Sequence, residues 1–313
     1  VLEETGLTLS DVDSAVSCSQ DFWDGRTISN MNIQPFVGAH LGHEDKVAED
    51  GLNAVYCGMA QVLSGHQEIV LVVAHMKESQ AQKSLIENAA FDPITMRQLG
   101  MDFLSAAAMQ AKRYMYKYGI TAEQCAKVAV KNRGNGMNNP FAQEPMEIRV
   151  EDVLNSKLLA SPIRKLDAKP ISDGACAMIL APEKRARKIT RKPVWILGVS
   201  NCYEAHYLGD RDLADCAALT MAARKAYSMA GIRNPLREID VADQHAVGRG
   251  RRAERGDAVF FDDLRHEGRL ELRAHRGEEC DGRISEVLLL ERDRGKVHLL
   301  LEVRGGEDKG GRV

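Results

Sequence analysis

The sequence has none of the cysteine, charge or apolar patterns that mark several large classes of protein. Its seven cysteines are scattered and no two form a CxxC pair, so we expect neither a zinc ribbon nor a disulfide scaffold, and a reducing cytoplasm suits them. The longest apolar runs, such as Glu68–Ala74, are strand-sized and fall far short of the ~20 residues of a membrane helix. A net charge of -3 gives no reason to expect nucleic acid or an anionic membrane as a partner.

Residues 248–313 lack seven ordinary residue types: Pro, Met, Thr, Asn, Gln, Tyr and Trp. They contain 13 Arg and 11 Gly, and the preceding residues use all seven missing types freely. Such a composition is what GC-rich codons give when they are read out of frame, so we predict a frameshift near His245–Gly248. The alternative is a genuine charged tail in which Ser285–Leu290 and Lys296–Val303 form a β-hairpin.

The first 245 residues show the alternation of helices and strands that is typical of an α/β protein. Apolar residues recur on one helical face over Gly51–Leu63, and the β-branched run Glu68–His75 follows as a buried strand. Thr121 and Gln124 have the spacing of a capping box at the start of another helix. We expect further elements at the ranges 101–118 and 213–230 (helices), 150–156 (a short helix), and 170–182, 192–200 and 239–242 (strands).

Six segments in order and spacing resemble the thiolase superfamily, specifically its sterol-carrier-type, archaeal-like members. Any one of them alone is weak evidence, but six in order are strong, and the resemblance covers roughly residues 1–245. They are Tyr118-Gly-Ile-Thr-Ala-Glu-Gln, Val128-Ala-Val-Lys-Asn-Arg-Gly-Asn, Asn139-Pro-Phe-Ala-Gln, Val150-Glu-Asp-Val-Leu-Asn-Ser-Lys, Pro170-Ile-Ser-Asp-Gly-Ala, and Ala226-Tyr-Ser-Met-Ala-Gly-Ile with Ile239-Asp-Val-Ala.

The resemblance implies a layered αβαβα fold built from two similar halves. Residues 1–185 would form the first half with an inserted loop domain at about 76–168, residues 186–247 would begin the second half, and residues 248–313 would be an atypical tail. By the same resemblance the chain is truncated at its N-terminus, because the family's first strand and helix are missing. It also implies acyl-CoA as substrate and no bound cofactor or metal.

The resemblance implies a nucleophilic cysteine at the N-terminus of a helix, but this sequence has alanine there. The family pattern is Cys, two small residues, Gly and then the helix. Aligning on Gly51 places Ala48 at the nucleophile position, and alanine cannot form a thioester. Glu49 and Asp50 lie in the first turn, either as simple capping carboxylates or as an acid/base pair in a relative without covalent catalysis. Cys57 lies nearly two turns further on and is interpreted as a structural thiol.

His245 is the second candidate catalytic residue. In the family a His-Asp-Ala-Phe-like turn follows the strand that resembles Ile239–Ala242, and its His completes an oxyanion hole. This chain reads Asp243-Gln-His245-Ala-Val, so the His matches and the Asp and Phe do not. No His-Pro dipeptide occurs, so the family's later catalytic loop has no counterpart. A surface-loop histidine is the alternative.

Other candidates have ordinary explanations beside the functional one. His40 and His43 have a spacing that could hold a metal, but no further ligands cluster with them. Lys83, Arg97 and Lys112–Arg113 could meet the phosphates of CoA or could be solvated surface charges.

Three functions remain open. The first is a thiolase-like acyl-CoA acyltransferase of the Claisen or retro-Claisen class that lacks the nucleophilic Cys. The second is a non-catalytic subunit that binds acyl-CoA or a partner chain, and the third is a Cys-independent aldolase of the thiolase fold. The resemblance also implies a homodimer or hetero-oligomer, with a zinc-ribbon and OB-fold protein as a possible partner. The strand after Gly65 is expected near the interface because it is too apolar for an exposed edge.

Overall fold

The computed structural model describes residues 1–21, 30–48, 51–140, 142–205, 207–239, 241–243, 284–292 and 296–300. Helices and strands alternate along most of this chain. The strands are β1 (Ser14–Ser19), β2 (His43–Ala48), β3 (Val70–Lys77), β4 (Leu158–Ala160), β5 (Ile163–Arg164), β6 (Asp173–Leu180), β7 (Trp195–Tyr203), β8 (Val241–Asp243), β9 (Ile284–Arg292) and β10 (Lys296–Leu300). The helices are α1 (Leu2–Thr5), α2 (Asn30–Ile33), α3 (Gly51–Leu63), α4 (Lys83–Ala89), α5 (Phe103–Tyr118), α6 (Ala122–Gly136), α7 (Val150–Asn155), α8 (Glu183–Ile189), α9 (Ala217–Ala230) and α10 (Pro235–Glu238).

The first sheet has four strands in the order β2-β1-β3-β6. Strand β1 pairs in parallel with β2 and β3, whereas β6 runs antiparallel to β3. All six residues of β1 are buried, which fits its position between two partners. The apolar sequence of β3 also follows from an interior position, since β1 and β6 flank it and β2 forms the edge. The apolar sequence of β3 therefore no longer supports the expectation that this strand lies near a subunit interface.

The second sheet has the order β7-β9-β10-β8. Strand β9 pairs antiparallel with both β7 and β10, and β10 runs parallel to β8. Strands β9 and β10 come from residues 248–313 and pair antiparallel, as expected for the β-hairpin considered in the sequence analysis. The expected frameshift concerns the coding sequence and stays a prediction.

The layers follow the order helix, sheet, helix, sheet, helix. Helix α3 lies in the middle, because its Leu52 and Val55 pack in one cluster with Val16 and Val72 of the first sheet and Val199 of the second. The opposite face of the first sheet is covered by the segment around α2, through a cluster of Ala15, Val37, Ala39 and Leu71. The outer face of the second sheet is covered by α9, with Ala222, Ala226 and Tyr227 at its centre. The αβαβα fold class predicted from the sequence is confirmed.

The segment between β3 and β6 leaves and re-enters the first sheet at adjacent positions. The two strands pair along their whole length, and Lys77 at the end of β3 is opposite Asp173 at the start of β6. Helices α4 to α7 and the β4–β5 hairpin lie within this segment. It therefore has the topology of an insertion into the sheet.

Several predicted elements have the bounds expected from the sequence. Helix α3 spans Gly51–Leu63, and α6 begins after a capping box in which Thr121 and Gln124 bond each other's backbone N–H. Within the described part of the chain, no helix is both long and apolar enough to cross a membrane.

Candidate functional site

Ala48 lies at the carboxyl end of edge strand β2, in register with Ser19 at the end of β1. Its side chain is exposed, and helix α3 begins three residues later at Gly51. Ala48 thus stands where a strand feeds the N-terminus of a 13-residue helix, the setting in which a helix dipole lowers the pKa of a thiol. A methyl group in this position offers no nucleophile. Glu49, Asp50 and His245, the other predicted site residues, lie outside the described residues.

A polar side-chain network flanks Ala48 on the two strands. The Lys46 ammonium donates a hydrogen bond to the Ser19 hydroxyl and lies 3.3 Å from a carboxylate oxygen of Asp21. The Ser17 hydroxyl donates to Glu44 Oε1 at 3.0 Å. Lys46 and Ala48 are two positions apart on β2, so they share one face of the strand. A cation is thereby held beside the carboxyl ends of the two strands.

A pair of amides joins the start of α3 to the second sheet. Asn53, in the first turn of α3, accepts a hydrogen bond at its Oδ1 from Nδ2 of Asn201 on β7, at 3.1 Å. The same Asn201 nitrogen donates to the Tyr203 hydroxyl oxygen at 3.3 Å. The carboxyl end of β7 therefore lies against the N-terminal turn of α3, so side chains from the two sheets' surroundings meet at the start of this helix. Sequence reasoning missed both amides, because a single Asn in a helix or strand carries no spacing signal.

The cysteines near α3 are structural thiols. Cys57 is half-buried and packs against the apolar cluster around α3. Its pKa is raised, first by burial and second by the charge of Asp45, which is opposite to what a nucleophile needs. Cys18 is buried on β1, in register with Val47 and Ala74. The interpretation of Cys57 as a structural thiol agrees with these contacts.

A buried ion pair closes the inserted segment where it meets the sheet. Glu78, which follows β3, is only 2% exposed and pairs with Lys169, while its other carboxylate oxygen accepts from the Ser172 backbone N–H at 3.0 Å. Asp173 accepts from the Ser79 backbone N–H and hydroxyl. Desolvation opposes the ionisation of Asp173, but these hydrogen bonds and the nearby charge of Lys77 outweigh it, so its pKa is lowered. The Pro170–Ala175 motif thus fixes both ends of the insertion.

Basic residues that the sequence offered for CoA phosphates mostly have partners within the chain. The Arg97 guanidinium donates to the carbonyl oxygens of Ala89 and Phe91 at 2.6 and 3.1 Å. Arg113 bonds Asp212, and Lys83 pairs with Glu87 at 3.4 Å. These contacts give the three side chains a structural role and leave Lys112 as an exposed charge.

The two histidines considered as metal ligands do not gather further ligands. The Nδ1 atom of His43 lies 3.0 Å from the Ser14 hydroxyl oxygen, so its ring is held within the first sheet. In the described residues no group of three or more His, Cys, Asp or Glu side chains is arranged to hold a metal ion.

Comparison with known proteins gives consistent matches. The family model described as "Thiolase, N-terminal domain" matches residues 2–184. The chain is 36% identical over 255 residues to an acetyl-CoA acetyltransferase of Methanothermobacter thermautotrophicus, covering 78% of this chain and 65% of that protein. It is 27% identical over 264 residues to a steroid side-chain-cleaving aldolase of Thermomonospora curvata, covering 75% of this chain and 63% of the aldolase.

A solved structure shares the fold. The chain superimposes on an Ltp2-ChsH2(DUF35) aldolase with a TM-score of 0.64 and 23% identity, over 77% of this chain and 64% of that one. The chain thus spans slightly less than two thirds of the length of the proteins that it matches.

Proposed function

Because the chain belongs to the thiolase superfamily, among its sterol-carrier-type and archaeal-like members, we propose that it binds CoA thioesters and makes or breaks a carbon–carbon bond beside the thioester without an acyl-cysteine intermediate. The observation that carries this proposal is Ala48. It occupies the junction of β2 and α3, where a covalent mechanism requires a thiol. The neighbouring thiol, Cys57, has a raised pKa and packs in the core.

Thiolysis and aldol cleavage make different demands on this site. Thiolysis needs a thiolate that takes the acyl group and later passes it to CoA. Aldol cleavage of a 3-hydroxyacyl-CoA needs only a base and a stabilised enolate. The base removes the hydroxyl proton, the C2–C3 bond breaks to leave a free carbonyl compound, and the electron pair becomes the thioester enolate, which is then protonated at C2. A site without a nucleophile can perform the second reaction and not the first.

His245 and Asp50 are the residues that we propose for this chemistry. His245 would donate to the thioester oxygen and stabilise the enolate, as oxyanion-hole donors do. Asp50, which directly precedes α3 in the sequence, would act as the acid/base group. The similarity to both an acetyltransferase and an aldolase supports the reaction class and leaves the acyl group open.

A non-catalytic subunit is the second candidate function. The matching aldolase structure is a complex with a DUF35 chain, which supports a partner protein for this chain as well. In that case this chain would bind acyl-CoA or a zinc-ribbon and OB-fold partner, and another subunit would supply the chemistry.

For either candidate function, a homodimer is the simpler assembly that we propose.

Deuterium exchange separates the two candidates. The full chain is incubated in D₂O with acetyl-CoA and with 3-hydroxyacyl-CoA esters, and products are measured by mass spectrometry. We expect deuterium at C2 and release of a carbonyl fragment, both lowered about 100-fold or more in His245→Ala. The control His66→Ala removes an exposed histidine outside the site and should leave the rate unchanged. Binding without exchange or cleavage would favour the non-catalytic subunit.

A further inference from the structure

Arg211 has a buried guanidinium with no partner in the described part of the chain. All three of its nitrogens, Nε, Nη1 and Nη2, are buried there and make no hydrogen bond. A guanidinium carries five N–H donors and stays charged at any pH that the protein meets. Burying an unpaired cation is costly, and natural folds normally supply a counterion or hydrogen-bond acceptors. The missing acceptor is therefore the feature that needs an explanation.

The backbone around Arg211 is held firmly on both sides. Before it, the short 3₁₀ turn Leu208–Asp210 is anchored by Leu208, which is buried among Phe91 and Phe103 of the inserted segment. After it, Asp212 accepts a hydrogen bond from the Ala214 backbone N–H at 3.1 Å, and Ala214 is buried. The tertiary structure thus fixes the position of the Arg211 backbone.

Two nearby carboxylates, those of Asp212 and Asp215, pair with side chains other than Arg211. Asp212 pairs with Arg113 and Lys117 of α5, at 3.0 and 2.9 Å, and these contacts hold its pKa well below the usual range. Asp215 pairs with Lys117 and accepts from the Tyr118 hydroxyl. The backbone at Arg211 is extended, which directs its side chain away from that of Asp212, the next residue. Asp212 and Asp215 therefore neutralise basic side chains of α5 and not Arg211.

The position of this segment connects Arg211 to the candidate site. It begins directly after β7, whose Asn201 and Tyr203 form the amide network at the start of α3. It ends at α9, where the Ala218 backbone N–H is capped by the Glu204 carboxylate at 2.8 Å. The segment therefore starts beside the amide network, contacts the inserted segment through Leu208 and Asp212, and ends at α9.

We propose that Arg211 is an anion-binding residue whose acceptor is supplied by the ligand. Its planar fork suits an oxyanion held by two parallel hydrogen bonds, either a phosphate of CoA or a carboxylate on the acyl group. The identity of the ligand as a CoA ester rests on the proposed function. The need of the Arg211 guanidinium for an oxyanion follows from its burial alone.

The test uses the full chain and three variants. Arg211→Gln and Arg211→Met remove the charge, and Arg191→Gln removes the charge of an exposed arginine as a matched control. Binding of acetyl-CoA, dephospho-acetyl-CoA, acetyl-pantetheine and a dicarboxylic acyl-CoA is measured by calorimetry. We expect both Arg211 variants to bind the ligand that carries the recognised anion about tenfold more weakly or worse, and Arg191→Gln to bind normally. If the Arg211 variants bind acetyl-pantetheine as well as the parent chain does, the contact is to a phosphate of CoA. If they bind only the dicarboxylic acyl-CoA more weakly than the parent chain does, the contact is to a carboxylate.

Thermal unfolding gives a readout that does not depend on CoA. In a buffer without oxyanions the Arg211→Met variant should unfold at a higher temperature than the parent chain, because an unpaired buried charge has been removed. Adding inorganic phosphate or acetate should stabilise the parent chain and not the variant. If no CoA ester binds but phosphate or acetate still stabilises only the parent chain, the proposed function fails and the anion site stands. Normal CoA binding by both Arg211 variants overturns the anion site. A lower unfolding temperature for Arg211→Met without oxyanions also overturns it, since the guanidinium then has a partner within the chain.

Discussion

At the residue scale, the ion pair between Glu78 and Lys169 is one in which each charge depends on the other. Both side chains are almost fully buried, at 2% and 6% exposure, and they join the two ends of the inserted segment. Removing one partner leaves the other charge buried and unpaired. We therefore expect Glu78→Gln to lower the free energy of unfolding by about 3 kcal/mol.

The control for this prediction is the exposed pair of Glu183 and Arg187 on α8. These side chains are 61–68% exposed, and surface pairs of this kind contribute about 1 kcal/mol or less, so Glu183→Gln should be nearly neutral. Denaturant titration of both variants and of the double variant Glu78→Gln/Lys169→Met provides the comparison. The double variant should recover most of the loss, and equal losses for the buried and exposed variants would show that the buried pair is not special.

At the element scale, the contact between β7 and α9 depends on one glycine. A Cβ atom added at Gly198 would lie 2.4 Å from the Ala226 carbonyl oxygen and 3.2 Å from its carbonyl carbon, both backbone atoms that cannot rotate away. Gly198→Ala should therefore push α9 from the sheet and destabilise the fold by about 3 kcal/mol, the upper end of ordinary overpacking.

Gly209 is the matched position for that experiment. A Cβ there meets nothing within 4 Å and its φ is not in the left-handed region, so Gly209→Ala should change stability little. Unfolding temperatures measured side by side decide the point. Similar values for the two variants would mean that α9 does not pack on β7 as the structure has it.

Most elements were predictable from periodicity, and those that were missed have a physical reason. Helix α3 showed a clear 3.6-residue apolar pattern, and α6 showed the residues of a capping box. Strand β1 is buried throughout but reads Ser-Ala-Val-Ser-Cys-Ser, and edge strand β2 reads His-Glu-Asp-Lys-Val-Ala. A search for apolar runs misses both strands, because their residues are small or polar. They form strands because they pair with neighbouring strands and not because of their composition.

The candidate site was predictable only in part. The alignment of Gly51 with a helix start was correct, and it placed Ala48 ahead of that helix. The amides of Asn53 and Asn201 come together from positions 148 residues apart, which only the tertiary fold determines. Arg211 was missed for the same reason, because burial without a partner is a property of the folded chain.

At the scale of the whole molecule, the chain has a thiolase-like fold with alanine at position 48, ahead of helix α3. Helix α3 packs between the two sheets, and the strands β9 and β10 complete the second sheet with residues of unusual composition. The edge strand β2 leaves one side of the first sheet unpaired in the described chain. The core around α3 is intact, so the loss of a thiol that we propose at position 48 would leave the fold unchanged.

The proposed absence of an acyl-cysteine intermediate can be tested by intact-mass spectrometry of the acid-quenched full chain. The protein is incubated with acetoacetyl-CoA and with acetyl-CoA, and Ala48→Cys serves as the comparison because it places a thiol before the start of α3. We expect an unchanged mass for the parent chain and an acyl adduct, if any, only in the variant, mapped to position 48. A stoichiometric acyl adduct on any cysteine of the parent chain would contradict the proposal.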